Sequence, residues 1–306
     1  SSVAIDPERM IGYVWKGYVV AALIAVGWGL LEFLGLLPYA DTDPVRVQGP
    51  FKDPNVLAPF LTPAAVYSIH RVFQIGMRGL AWNVSVFLIC SFGIFLSFSR
   101  GGWLNLVLSF GIYVTLAVFF SRTIREKFAL VLIAPTAAFL AVTITLVALS
   151  SSEDLARFLA QRAVLVQSYD VEEGGRFAST LAALREVGQN PIGVGPGRTA
   201  IEFGLAPHNL YVHILAEGGW LAAFGFYGFV VLTLSRCLSL IPKDLPMKRD
   251  AILVSACLLG TLTQSLFIDA THWRHLWLLL ALAWVPSIAS QRYRVQRQRY
   301  VMSNAV

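Results

Sequence analysis

The chain has 306 residues, of which 56% are hydrophobic and only 14% charged, with a formal net charge of +6 and a mean hydropathy of +0.64. That balance excludes an ordinary soluble domain. Several apolar runs reach the length of about 20 residues that a bilayer requires of a spanning helix, so the expected fold is all-α, a polytopic transmembrane helical bundle. Cys90, Cys237 and Cys257 lie in or beside apolar stretches with no metal-like spacing and read as small core residues. The chain opens with Ser1, and no signal-peptide pattern precedes the first apolar run, a start that fits a segment of a longer protein.

In chain order, charge and Gly/Pro punctuation place eight spans near 13–37, 56–70, 80–98, 103–120, 128–149, 209–235, 251–269 and 275–289. Pro59 and Pro63 predict a kink or tilt in the second. The organisation that follows is five spans over 1–149, a long loop with its own helices over 150–208, three spans over 209–290 and a basic tail over 291–306. Alternation puts the N-terminus, the turns near 71–79, 121–127 and 236–250, and the tail on one side, with 15 of the 24 basic residues. By the positive-inside rule that side is the cytoplasm. The tail, RYRVQRQR, then reads as an anchor to anionic headgroups rather than an arm for nucleic acid.

The other nine basic residues fall on the outer side: Arg46, Lys52, Arg100, Arg157, Arg162, Arg176, Arg185, Arg198 and Arg274. The 150–208 loop is longer than a plain connection needs, and it carries two helical patterns. In SSEDLARFLAQRAVLV, Ser151 or Ser152 is the candidate N-cap; RFASTLAALREVGQNP stops at Asn190-Pro191. A helical lid or cap over the outer face is the natural expectation.

The residues able to do chemistry gather on that outer side. In SFSRGGWL, Arg100 stands against the topology bias, and its planar fork suits phosphate oxygens, although a snorkelling arginine bonded to lipid phosphate fits equally. Arg176 opens a loop helix after a glycine pair and follows Asp170, Glu172 and Glu173, which read as a solvated acidic turn or ion-pair partners; their pattern is a weak metal signal, and no metal is expected. His208 sits where a Gly/Pro-punctuated loop meets the sixth span, and its ordinary pKa suits proton transfer near neutral pH. By residue type alone, a cap of the span shared with Asn209 is the plainer reading.

Within that span Asn209, His213 and Glu217 recur at i, i+4, i+8 and form one polar stripe, in which His213 and Glu217 could simply satisfy each other. FIDATHWRHLW then places Asp269, His272, Arg274 and His275 in the last outer turn. Arg274 either joins the pocket of Arg100 or pairs with Asp269, and Trp273 and Trp277 read as an interfacial aromatic belt.

Taken together and in this order, FKDPNVLAPFL, SFSRGGWL, GGRFASTLAAL…NPIGVGPG and HNLYVHILAEGG resemble the O-antigen ligase/polymerase family of membrane glycosyltransferases. The resemblance implies a bacterial inner-membrane enzyme that works at the periplasmic face, so that 150–208 becomes a periplasmic loop. It implies a donor, a glycan on undecaprenyl-pyrophosphate, and an acceptor, either lipid A–core (ligase), another glycan repeat unit (polymerase) or protein, with membrane lipids around both. It assigns Arg100 and Arg176 to the donor pyrophosphate and His208 to the acceptor hydroxyl as base, with no cofactor, and Asn209, Glu217, Asp53, Asn55 and Arg274 as possible supporting residues. Fixed guanidinium groups would stand in for a metal at the leaving diphosphate, and attack from the opposite face would invert the anomeric carbon.

Family members usually carry further N-terminal spans, so the chain resembles the C-terminal two-thirds of such an enzyme. One departure from the pattern is Gly219-x-x-Ala222 where a G-x-x-G pair is usual. Two other classes stay open at this point. A transporter would concentrate charge near the bilayer midplane, whereas here only Glu32 and Glu217 are acidic residues clearly within spans. A non-catalytic envelope scaffold would use the long loop for docking.

Overall fold

The computed structural model describes residues 6–38, 46–75, 79–150, 153, 156–157, 159–160, 175–243 and 245–303. The acidic turn at Asp170, Glu172 and Glu173, and the candidate caps Ser151 and Ser152, lie outside the described residues. Among the described residues the regular structure is helical, and the chain is an all-α polytopic membrane protein. The helices are α1 (Pro7–Phe33), α2 (Pro54–Ile75), α3 (Leu80–Leu96), α4 (Arg100–Phe119), α5 (Ile124–Ser150), α6 (Arg176–Gln189), α7 (Thr199–Phe203), α8 (Leu210–Leu238), α9 (Lys248–Gln264), α10 (Arg274–Leu282) and α11 (Val285–Ser303).

Five of them, α1, α2, α4, α5 and α8, are long and apolar enough to cross a membrane, and α3 is a shorter apolar helix. Their lengths follow from sequence punctuation. Asp6 caps α1 by accepting from the Glu8 N–H at 3.0 Å, and Ser99 caps α4 by accepting from the Gly102 N–H at 3.2 Å. α2 holds both Pro59 and Pro63 inside its 22 residues. The stretch 275–289 is divided between α10 and α11 around a turn at 283–284.

α2 and α9 form the centre. The apolar window of α2 is 78% buried, against 28% for α4 and α5 and 22% for α8, so the last three turn most of their apolar surface outward, toward the acyl chains of a bilayer. α2 packs on α1, α3, α4 and α9. Trp15 of α1 stacks on Tyr67 of α2 at 5.0 Å between ring centroids, and the Tyr18 hydroxyl donates to the Phe60 carbonyl at 2.7 Å.

Where α9 meets α4 the backbones come close. A Cβ on Gly260 would overlap Ser109 and lie 2.7 Å from Asn105 Oδ1, so only glycine permits the approach. The proximity places a polar cluster in the apolar interior: Asn105 Nδ2 donates to Gln264 Oε1 at 2.9 Å, and the Ser109 hydroxyl donates to Asn105 Oδ1 at 2.9 Å. All three side chains are buried. Double-mutant cycles on such intramembrane bonds average about 0.6 kcal/mol each, so the cluster fixes the register of α4 on α9 more than it adds stability.

Candidate active site

The site is assembled at the last turn of α9. Gly101, beside Arg100, packs on the Gln264 side chain, where an added Cβ would lie 3.2 Å from Nε2. One residue on, the Ser265 carbonyl accepts from the Leu210 N–H at 2.9 Å, and the Leu266 carbonyl accepts from Asn209 Nδ2 at 2.9 Å. The start of α4, which bears Arg100, and the start of α8, which follows His208, are therefore held by the same three residues. Arg100 and His208 are both half-buried there.

Segment 46–55 closes one flank. Val47 is buried against Gly29 of α1, and its N–H donates to the Leu96 carbonyl at 3.0 Å. This carries Arg46 to the turn before α4, where its Nε donates to the Ser97 carbonyl at 2.9 Å and Nη2 to Asn55 Oδ1 at 3.3 Å. Asp53 accepts from the Asn55 N–H at 2.8 Å and caps the start of α2. Asp53 and Asn55 thus shape the loop that holds Arg46. A second guanidinium beside the Arg100 turn was not singled out by the sequence patterns; the available signal was its position against the topology bias, just ahead of FKDPN.

The other flank is a network on α8. Asn209 caps the helix, its Oδ1 accepting from the Tyr211 and Val212 N–H groups at 3.0 and 3.1 Å. One turn in, His213 lies between two carboxylates, with Nε2 3.3 Å from Glu217 Oε1 and Nδ1 3.7 Å from Asp269 Oδ2. His272 Nδ1 is 3.8 Å from the same Asp269 oxygen, and Thr271 donates to both Asp269 oxygens at 2.9 Å. Asp269 is occupied by these groups, while Arg274 begins α10 and is exposed. His213 and Glu217 face each other at their i, i+4 spacing, while the buried His213 Nδ1 makes no hydrogen bond among the described residues, and Glu217 accepts from the Gly197 N–H at 2.8 Å and the Thr199 hydroxyl at 3.3 Å.

These last bonds tie the loop between α6 and α8 to the helix, and α8 is built to receive it. At Gly219 the backbone leaves the helix at φ 66°, ψ −167°, roughly 14 Å along its axis from Leu210. The break frees the carbonyls of Ala216 and Glu217, which accept from the N–H groups of Val194 and Gly195 at 2.8 and 2.9 Å, while the Trp220 N–H donates to the Pro191 carbonyl at 3.0 Å. Irregular backbone at membrane depth is tolerated only where protein satisfies it, and here the Gly/Pro loop does so.

Upstream of that loop α6 runs from Arg176 to Gln189 and ends at Asn190. Its buried Ala183 and Val187 pack with Leu215, Ala216 and Ala223 of α8. Arg176 is thereby placed at the first position of α6, and its side chain lies outside what is described. Among the described residues, no group of three or more His, Cys, Asp or Glu side chains is arranged to hold a metal ion. The arrangement as a whole offers the bonded Arg46 guanidinium beside the Arg100 turn on one flank and imidazole–carboxylate pairs on the other, joined through α9.

Comparison with curated proteins and with solved structures gave no match. A comparison with protein families did, over residues 85–227, from α3 through the Arg100 turn, the long loop and His208 into α8. The family matched is described as O-antigen ligase, and the stretch that carries this site is what resembles it.

Proposed function

We propose that the chain is the catalytic part of a periplasmic-face glycosyltransferase that moves a glycan from undecaprenyl-pyrophosphate to an acceptor, as an O-antigen ligase or a repeat-unit polymerase. The observation that carries the reading is that the matched stretch, 85–227, contains both the Arg100 turn and His208, which the fold anchors on the same turn of α9. A lipid-linked donor lies in the bilayer beside the bundle, so its diphosphate meets the protein at the helix ends.

In this reading the Arg100 guanidinium, with Arg176 from α6, holds the diphosphate and stabilises the charge that develops as the glycosyl bond breaks. Arg46 stiffens the Arg100 turn. His208 accepts the proton of the acceptor hydroxyl as that oxygen attacks the anomeric carbon, and the lipid diphosphate leaves from the opposite face with inversion. Glu217, Asp269 and His213 act one step back: they lock the outer loop and the start of α8, and so fix where His208 stands. The alternation of the eight expected spans and the bias of basic residues support a periplasmic position for this end.

The test is glycan profiling by electrophoresis of cells lacking the full-length gene, complemented with wild type or with His208→Ala. Wild type restores polymeric glycan, and His208→Ala at equal membrane level does not. Single repeat units on the acceptor identify a lost polymerase, and unattached lipid-linked polymer a lost ligase. Full output from His208→Ala would remove the histidine from the mechanism, and a deletion with unchanged glycan would remove the transferase reading.

A further inference from the structure

At Gly219 α8 is folded rather than merely interrupted. The Tyr227 hydroxyl donates to the Tyr211 carbonyl at 2.7 Å, and the two rings lie 5.9 Å apart, although on one straight helix these residues would stand about 24 Å apart. Leu215 and Ala216, before the break, share a buried cluster with Ala223, after it. The half from Trp220 to Leu238 is therefore the part of α8 able to cross a bilayer on its own, at roughly 28 Å against a hydrocarbon layer of about 30 Å. Trp220 begins that half, its ring 5.7 Å from that of Phe224, an aromatic pair of the kind that marks the edge of the layer.

The preceding loop is fastened to this edge from the side. The Trp220 N–H donates to the Pro191 carbonyl, and the Ile192 backbone lies against Gly219. α6 packs chiefly on α8, through Ala183 and Val187, and makes no comparable contact with α2, α4, α9 or α10 among the described residues. It thus lies along the flank of α8, the least buried of the five spans. Helical periodicity divides what α6 leaves uncovered. Leu181 and Leu184 are exposed on one side of the face that packs on α8, and Arg185, Glu186 and Gln189 occupy the other. That is the pattern of a helix lying in an interface, with acyl chains on one side and water on the other. Next to the break, Ile192 is 82% exposed and Leu221 87%, with Phe224 exposed one turn further on.

We propose that the segment from α6 to the break in α8 is seated in the membrane: Leu181, Leu184 and Ile192 dip into the acyl layer beside Trp220, Leu221 and Phe224, and the partner of this surface is bilayer lipid. Continuity with the acyl-facing side of α8 selects lipid over a protein partner. The same loop carries the Gly197 N–H to Glu217 and leads into His208, so the bilayer shares in holding the start of α8.

The experiment uses the full chain in nanodiscs of phosphatidylethanolamine and phosphatidylglycerol, with a nitroxide on one introduced cysteine; Cys90, Cys237 and Cys257 are buried, out of reach of the label. Collisions with oxygen, which concentrates among acyl chains, are compared with collisions with a nickel chelate, which stays in water. Oxygen is expected to dominate at Leu184→Cys and Ile192→Cys, as at Val231→Cys on the exposed side of the span. Arg185→Cys, on the polar side of α6, is expected to give the reverse. Leu181→Cys samples the same side of α6 should Leu184→Cys fold poorly. Nickel dominating at either loop position would make the segment a lid standing in water and overturn the proposal. Exclusion of both reagents at either position would overturn it as well, since a protein segment or a second copy would then cover the surface.

Discussion

At its last turn α9 gives the Ser265 and Leu266 carbonyls to α8 and the Gln264 side chain to Asn105 of α4, so the side chains around it are held by bonds that cross the bundle. At its first turn the same helix starts without a side-chain cap, beside a cavity lined by His70, Tyr113 and charged side chains of α5 and α9. The first arrangement suits transition-state work, where groups have to be in place before charge develops. One central helix thus has one end tied across the bundle and another that opens on a cavity, and substitutions at the two ends should be read by different measurements.

The largest expected effect belongs to the rigid end. Arg100→Ala is expected to lower glycan transfer by about 10²–10³-fold, the usual consequence of removing one preorganised electrostatic group. Arg100→Lys keeps the charge but lacks the planar fork, and is expected to restore no more than a tenth of the activity. Transfer measured in membranes at matched protein level decides it; a fully active lysine variant would reduce Arg100 to a point charge, as a snorkelling side chain would be.

Next in size is the break in α8. Gly219→Ala puts a side chain at a positive φ and against the Pro191 carbonyl and the Ile192 backbone, with an expected cost of about 1–3 kcal/mol for the strained backbone and more for the overlap. Gly111→Ala, at a helical position with nothing within 4 Å, is the matched control and is expected to be neutral or to stabilise by up to about 1 kcal/mol. Thermal midpoints in detergent separate them. Equal midpoints would mean that the loop leaves the break without cost and that the outer end is not rigid.

Much of this end is legible in the sequence because its signals are local. The bounds of α6 follow from Gly175 before Arg176 and Asn190-Pro191 after Gln189, and the polar stripe Asn209, His213, Glu217 follows from helical periodicity. What local pattern could not supply is long-range pairing. Asp269 joins His213 from 56 residues away, and Arg46 reaches Ser97 across 51. Gly219 sits in an apolar run that reads as continuous helix, since a glycine alone does not announce a break. The break exists because Val194 and Gly195 arrive to take the freed carbonyls. The prolines of α2 predict a kink or tilt, and Pro59 and Pro63 both lie inside a single helix that packs on α1, α3, α4 and α9.

A smaller effect is expected at Glu217. Glu217→Gln keeps an acceptor for the Gly197 N–H and the Thr199 hydroxyl but removes the charge 3.3 Å from His213. The thermal midpoint is expected to move little while transfer falls about tenfold, equivalent to roughly 1.4 kcal/mol in the barrier. A fall in stability without a separate fall in transfer would make the pair purely structural.

The smallest effect tests the joint between the two flanks. Asn209 makes two kinds of bond: its oxygen caps α8, and its amide N–H donates to Leu266. Asn209→Ala removes both and is expected to cost about 1 kcal/mol for the cap alone. Asn209→Asp keeps the capping oxygen, adds a negative charge that the helix N-terminus favours, and loses only the donor to Leu266. If the tie to α9 matters for placing His208, Asn209→Asp keeps a near-native midpoint and still transfers glycan several-fold more slowly, with normal activity recovered only by a side chain that both accepts at the cap and donates to Leu266. If Asn209→Asp is as active as the wild type, the cap is the residue's whole contribution, and the link between the Arg100 turn and the start of α8 rests on the Leu210–Ser265 backbone bond.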